Sequence, residues 1–150
     1  MLNRTYDGQN CSIARTLELV GERWTLLVLR NIFVGIRRFD DIQENLGVGR
    51  NVLTDRLNRL CEAGILERRL YQSRPDRFEY WSTDKGKDLW PVNVALMNWG
   101  DRYLAPAGPP IRLTHKGCGG ELTERRVCSR CRQELELDAV DARPGTGTPL

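Results

Sequence analysis

The sequence predicts a mainly α-helical domain carrying a small β-hairpin, followed by a small β appendage built around a metal. Three observations predict it. Between Arg38 and Gly64, the residues Phe39, Ile42 and Leu46 repeat at helical spacing; Gly47-Val48-Gly49 interrupts; then Leu53, Leu57 and Leu60 resume the repeat. Two runs of strand composition follow at once, residues 65–71 and 77–82, joined by the polar, turn-forming Gln72-Ser73-Arg74-Pro75-Asp76. Near the C-terminus, His115, Cys118, Cys128 and Cys131 stand in an H-x2-C-x9-C-x2-C pattern. Two ligand pairs, each spaced by two residues and separated by a short hairpin, are what tetrahedral zinc in a ribbon needs.

The elements can be justified in order. Residues 1–10 are polar and expected to be loose. A first helix opens at Cys11-Ser12, with Ser12 as N-cap and Ile13, Leu17 and Val20 on one face; Gly21 ends it. Residues 23–34 form the most apolar run. Trp24, Leu27, Val28 and Ile32 share one side, and Leu26, Leu29 and Phe33 cover much of the rest. A helix apolar nearly all round belongs at the centre of a fold.

The helices at 39–46 and 50–62 then pack at a steep angle across the glycine corner, a helix-turn-helix. On the second, Leu53, Leu57 and Leu60 point inward. Asn51, Asp55 and Asn58 point away, Thr54 and Arg59 lie at the margins, and Arg50 begins the first turn. Amides, a hydroxyl and guanidinium groups suit base edges and phosphates in a major groove; an ordinary solvated face is the alternative. The hairpin that follows reads as a wing. Its tip carries Arg74, flanked by Arg69 and Arg77, in reach of a minor groove or phosphates. With Arg38 ahead of the first helix, the candidate DNA contacts are Arg38, Arg50, Asn51, Thr54, Asp55, Asn58, Arg59, Arg69, Arg74 and Arg77.

Thr83 caps a further helical stretch with Asp84 in its first turn, and Pro91 kinks or splits it. Beyond Pro91, Val92, Leu96, Trp99 and Tyr103 make a strongly apolar face, which Leu89, Trp90, Val94 and Met97 widen. One stripe suffices for packing, so a second points to a partner chain and a homodimer. The alternative is a terminal helix folded back on its own core.

Composition sets bounds. At 150 residues, one domain plus an appendage is expected. A net charge of +3 and a pI near 8.7 are compatible with DNA without arguing for it. Residues 37–77 hold nine arginines against seven acids, so any basic stripe must come from spatial sorting. No apolar run approaches the roughly 20 residues that span a bilayer, and MLNRTYDGQN lacks a signal-peptide core. The expected location is the cytoplasm, with no membrane partner. There, five cysteines serve as ligands, sensors or core residues rather than disulfides.

Four segments now carry a family resemblance: CSIARTLELVGERWTLLVLR from Cys11, RFDDI from Arg38, LTDRLNRLCEAGIL from Leu53, and TDKGKDLWP from Thr83 followed by Trp99-Gly100. Together they resemble the HxlR family of transcriptional regulators, relatives of the MarR regulators, over about two-thirds of the chain. The resemblance implies a dimeric winged helix-turn-helix that binds double-stranded DNA and responds to electrophiles, oxidants or small metabolites. Gly49 departs from the family, which often has Ser as the cap of the recognition helix. Cys11 lies where some members carry a redox-sensing cysteine. A thiol at a helix N-terminus is acidified by the helix dipole, and Arg15 one turn on adds to this. The alternative is a small residue that merely packs. Cys61, near Leu57 and Leu60, reads as core.

The domain plan is thus 1–104 for DNA binding and dimerisation, a Pro-rich linker at 105–112, a zinc-ribbon-like module at 113–138, and a disordered tail at 139–150. In the module, Gly117, Gly119 and Gly120 permit tight turns and the only histidine is one of the four ligands. Four filled positions make the zinc structural. A metal-free ribbon or oxidised thiols are the alternatives. With no second histidine to act as a base, thiol catalysis is not expected, and no phosphate loop, paired acids or dinucleotide motif is present. A sequence-specific regulator is the leading function; a protein-binding adaptor using the winged helix and ribbon is the other.

Overall fold

The structure, a computed structural model, describes residues 5, 6 and 8–147. In order along these residues come α1 (Ser12–Val20), α2 (Thr25–Phe33), α3 (Phe39–Leu46), α4 (Arg50–Glu62), β1 (Leu66–Gln72), β2 (Arg77–Ser82), α5 (Asp84–Lys87), α6 (Trp90–Leu104) and a 3-10 turn at Leu137–Ala139. The chain divides into two compact units, residues 1–94 and 95–150, with the boundary inside α6 rather than in the Pro-rich segment after it. Among the described residues, no helix is long and apolar enough to cross a membrane. The expected loose N-terminus falls partly on residues 1–4 and 7, and the end of the expected disordered tail on 148–150; both lie outside the described residues.

The first unit is built on α2. Val28, Leu29 and Ile32 are fully buried, and Ile42, Val48, Leu53, Leu57, Leu60, Ile65 and Leu66 close over them. Leu27, placed on the same side as Val28 by sequence, is only half-buried. Asn31 is buried too. Arg30 donates to its Oδ1 at 3.0 Å and also to Asn45 Oδ1 at 3.1 Å, tying α2 to α3. Helix α3 leaves through Gly47 at φ 63°, the left-handed conformation that a side chain disfavours, while Val48 turns into the core.

Two expectations for α1 need correcting. Cys11, not Ser12, occupies the N-cap position. Of the expected face, only Val20 is buried: Ile13 and Leu17 are exposed, because among the described residues nothing covers that side of the helix. Of the two outcomes expected around Pro91, the helical stretch is split, into α5 and α6, and not kinked. The break precedes it, and Pro91 sits in the first turn of α6, where a missing N–H costs nothing.

The Thr83-Asp84-Lys85-Gly86-Lys87 segment does more than start a helix. It receives the carbonyl groups of the segment that follows α4, Ala63 to Ile65. Thr83 Oγ1 donates to Gly64 O at 2.6 Å, Lys85 Nζ to Ala63 O at 2.7 Å, and the Thr83 N–H to Ile65 O at 3.1 Å. The same hydroxyl accepts the Gly86 N–H at 3.1 Å, capping α5. The approach is so close that a Cβ on Gly86 would stand 2.1 Å from Ile65 O.

Strands β1 and β2 pair antiparallel from Leu66↔Ser82 to Gln72↔Arg77, with a bulge beside Leu70. Only Leu66 of β1 is buried and Leu70 is exposed, so the outer hairpin leaves the core. The hairpin is joined to the chain before α3 by one isolated bridge, Arg38↔Glu79, beside which the Tyr80 N–H donates to Arg37 O at 2.9 Å. The guanidinium groups of Arg37 and Arg69 lie 3.6 and 4.4 Å from the Trp81 ring centroid. Cation–π contacts of this kind are worth about 0.5–2 kcal/mol each.

In the second unit, the chain beyond Leu104 forms two narrow turns, each closed by one isolated bridge, Thr114↔Glu121 and Val127↔Glu134. Among the described residues of this unit, no extended ribbon strands form. From residue 105 to 147 none is fully buried; Leu113, Leu122, Cys128 and Leu135 are half-buried.

Candidate nucleic-acid interface

Helix α4 separates packing from recognition by side. Leu53, Leu57 and Leu60 are at most 2% exposed, whereas Arg50, Asn51, Thr54, Asp55, Asn58 and Arg59 are all exposed. Gly49 is the N-cap and offers no side-chain hydrogen bond, so the first-turn N–H groups of α4 stay open to an anion such as a phosphate. Thr54 Oγ1 donates to Arg50 O at 2.9 Å. Its proton is used inside the helix, leaving a methyl group and an acceptor outward. Asp55 is engaged by Arg56 at 2.9 Å and Arg59 at 3.2 Å, and Arg56 reaches back to Glu22 at 3.3 Å. Asp55 therefore holds arginines as much as it offers an acceptor. Arg56 is a residue the sequence reading missed: its position in the heptad gives no sign that it anchors α4 to the chain ahead of α2.

The arginines sort into two groups. Arg38 pairs with Glu79 at 3.1 Å and lies over Tyr71. Arg50 sits 3.7 Å from Asp40 and over Phe39. Arg59 holds Asp55, and Arg69 holds Glu67 at 2.7 Å. By contrast, Arg74 and Arg77 have no carboxylate partner among the described residues. Arg74 occupies the wing tip at φ 62°. Among the six candidate arginines, Arg74 and Arg77 at the end of the hairpin are thus free of carboxylates, while Arg38, Arg50, Arg59 and Arg69 are matched by acids; Arg68 beside them lies over Phe78 instead.

Cys11 is fully exposed at the head of α1. The N–H groups of Ala14 and Ile13 face its sulfur, and with the Arg15 charge they hold its pKa below the usual thiol value. Cys61 packs at the core margin, and burial pushes its thiol up, as a core role requires. The four candidate metal ligands come together as two pairs. His115 Nδ1 is 3.4 Å from Cys118 Sγ, and Cys131 hydrogen-bonds Cys128. Among the described residues, no three such side chains converge on one point.

One surface is apolar. On α6, Val92, Leu96, Trp99 and Tyr103 are 39–62% exposed along a single stripe, while Val94 is turned inward at 6%. The Trp99 and Tyr103 rings meet in a tilted contact, 5.2 Å between centroids. The stripe read from sequence is the exposed face; of the widening residues Val94 is buried, Leu89 and Met97 are half-buried, and Trp90 is exposed.

Comparison with known proteins fits this geometry. The model of the HxlR-like helix-turn-helix family matches residues 19–107. The HTH-type transcriptional regulator Rv3095 of Mycobacterium tuberculosis, itself uncharacterised, is 46% identical over 147 residues, 97% of this chain and 92% of that one. Such a match runs through the C-terminal turns as well. The crystal structure of PA1607, a candidate transcription factor, superposes with a TM-score of 0.82 at 30% identity, covering 92% of this chain and 97% of the other. The reduced form of the transcriptional regulator YodB from B. subtilis gives 0.53 at 28% identity, covering 65% and 98%. A helix-turn-helix with an exposed polar face, a basic wing tip and relatives of this kind leave one assignment: the chain belongs to the HxlR-like helix-turn-helix family and is a DNA-binding transcriptional regulator, not an enzyme.

Proposed function

We propose that the protein works in the cytoplasm as a homodimer that binds a two-fold operator, with α4 in the major groove and the wing tip against phosphates or a minor groove. The carrying observation is the polarity of α4, whose leucines are sealed in the core while its amides and Arg59 face outward. The unpaired Arg74 and Arg77 supply phosphate contacts beside it. The apolar stripe of α6 supports the dimer, with the exposed Ile13 and Leu17 of α1 as a second apolar area. Two-fold symmetry then sets two recognition helices at successive major grooves.

Titration of the chain's own promoter DNA at rising salt tests this reading. Arg74→Ala is expected to weaken binding to all sequences alike and to lower the salt slope by about one. Asn51→Ala or Asn58→Ala is expected to blunt discrimination at particular base pairs by about 1–3 kcal/mol. Three variants that footprint like the parent would sink the assignment.

The effector is proposed to be an oxidant or electrophile acting at Cys11. Its support is the exposed sulfur with lowered pKa and the likeness to YodB, whose diamide-treated form is also known. Oxidant is expected to change operator affinity in the parent and to leave Cys11→Ser unresponsive. A response that persists in Cys11→Ser removes the sensor.

A further inference from the structure

The two turns of the second unit are copies of one local structure. In each, a metal-ligand type of residue at position n is followed by another at n+3. In the first turn, the His115 N–H donates to Gly120 O at 2.8 Å and the Gly119 N–H to His115 O at 2.8 Å. In the second, the Cys128 N–H donates to Gln133 O at 2.9 Å and the Arg132 N–H to Cys128 O at 3.0 Å. The bridges Thr114↔Glu121 and Val127↔Glu134 close both at the same offset. The residue after the second ligand has positive φ in both: Gly119 at 72° and Arg132 at 66°. An arginine tolerates that conformation only where the surroundings demand it.

Backbone N–H groups are aimed at sulfur in both turns. Gly120 donates to Cys118 Sγ at 3.4 Å, and the N–H groups of Cys131, Arg130 and Arg132 face Cys128. Glycine keeps the first pair clear. A Cβ at Gly117 would stand 3.1 Å from the His115 ring, and one at Gly120 would stand 3.3 Å from Cys118 Sγ. Meanwhile the turns lack a core, since no residue from 105 to 147 is fully buried. A segment this poor in buried surface needs a staple from elsewhere.

We propose that the two turns are the halves of one structural zinc site, with His115 and Cys118 from the first and Cys128 and Cys131 from the second completing a Cys3His tetrahedron. The separate pairs are preformed, and the ion is what draws them together. Three S–H protons leave as three zinc–sulfur bonds and one zinc–nitrogen bond form; nothing is oxidised or reduced. One dication and three thiolates leave a net charge of −1, which Lys116, Arg130 and Arg132 beside the ligands offset. All four positions are filled by protein, so the site holds structure and performs no catalysis.

Elemental analysis of the full chain, purified under reducing conditions without chelators, is expected to find about one zinc per chain. Cobalt(II) added to metal-stripped protein is expected to give the thiolate charge-transfer and d–d absorption of a tetrahedral site. Cys118→Ser and Cys131→Ser should lose both signals, while Cys11→Ser and Cys61→Ser should keep them. Less than about a tenth of an equivalent after anaerobic reconstitution with zinc would overturn the proposal. So would cobalt spectra unchanged by Cys118→Ser and Cys131→Ser, or a Cys128–Cys131 disulfide in protein handled under reductant.

Discussion

Replacing Leu96 and Trp99 together by aspartate is expected to convert the proposed dimer into a monomer and to cut affinity for the full operator by about 10²–10⁴-fold. The two side chains are 54% and 58% exposed, so the charge enters no core within the chain and the monomer should melt near the parent temperature. In a dimer they would bury against their symmetry mates, where an unpaired carboxylate costs several kcal/mol. The affinity loss follows from avidity, because the second half-site is no longer bound intramolecularly. Sedimentation equilibrium and operator titration measure the two effects. A variant that stays dimeric shows that α6 is not the interface. A variant that is monomeric yet binds as well shows that two copies are not required.

Leu57→Ala and Asn58→Ala, neighbours on α4, are expected to fail in opposite ways. Leu57 is fully buried in the core cluster that also holds Leu53, Leu60, Ile42 and the buried residues of α2. Its truncation leaves a cavity and should cost about 2–5 kcal/mol, a large part of the 5–15 kcal/mol available to an ordinary domain. Urea unfolding would show it as a lower midpoint with little change in slope. Asn58 is exposed, and its loss should move stability by less than about 0.5 kcal/mol while degrading base discrimination. Were Asn58→Ala the destabilising change, the orientation assigned to α4 would be wrong.

These contrasts show what was legible in the sequence. The buried leucines of α4, the glycine corner and the hairpin all announce themselves within one or two turns of chain, where periodicity and turn chemistry act. The missed features join distant residues. Arg38 meets Glu79 across 41 positions, and Arg37 and Arg69 converge on Trp81. The carbonyl groups of the segment that follows α4 are received by Thr83 and Lys85, yet the sequence shows there only a helix start. The face of α1 was misread for a related reason. An apolar stripe reports that something covers it, not whether that cover belongs to the same chain. Of the candidate metal ligands, spacing marked the four residues, but the shared turn geometry emerges only from the backbone.

The pairing of Arg38, Arg50, Arg59 and Arg69 with acids has a kinetic consequence. Random genomic sequence offers phosphates but no matching base edges, and on this protein it must compete with carboxylates already in place. Sojourns at wrong addresses should therefore be brief. Only where the amides of α4 also find their hydrogen-bond partners does the exchange of carboxylate for phosphate become worthwhile. On the proposed interface, a regulator made this way is expected to give up grip on bulk DNA and to gain speed in leaving it.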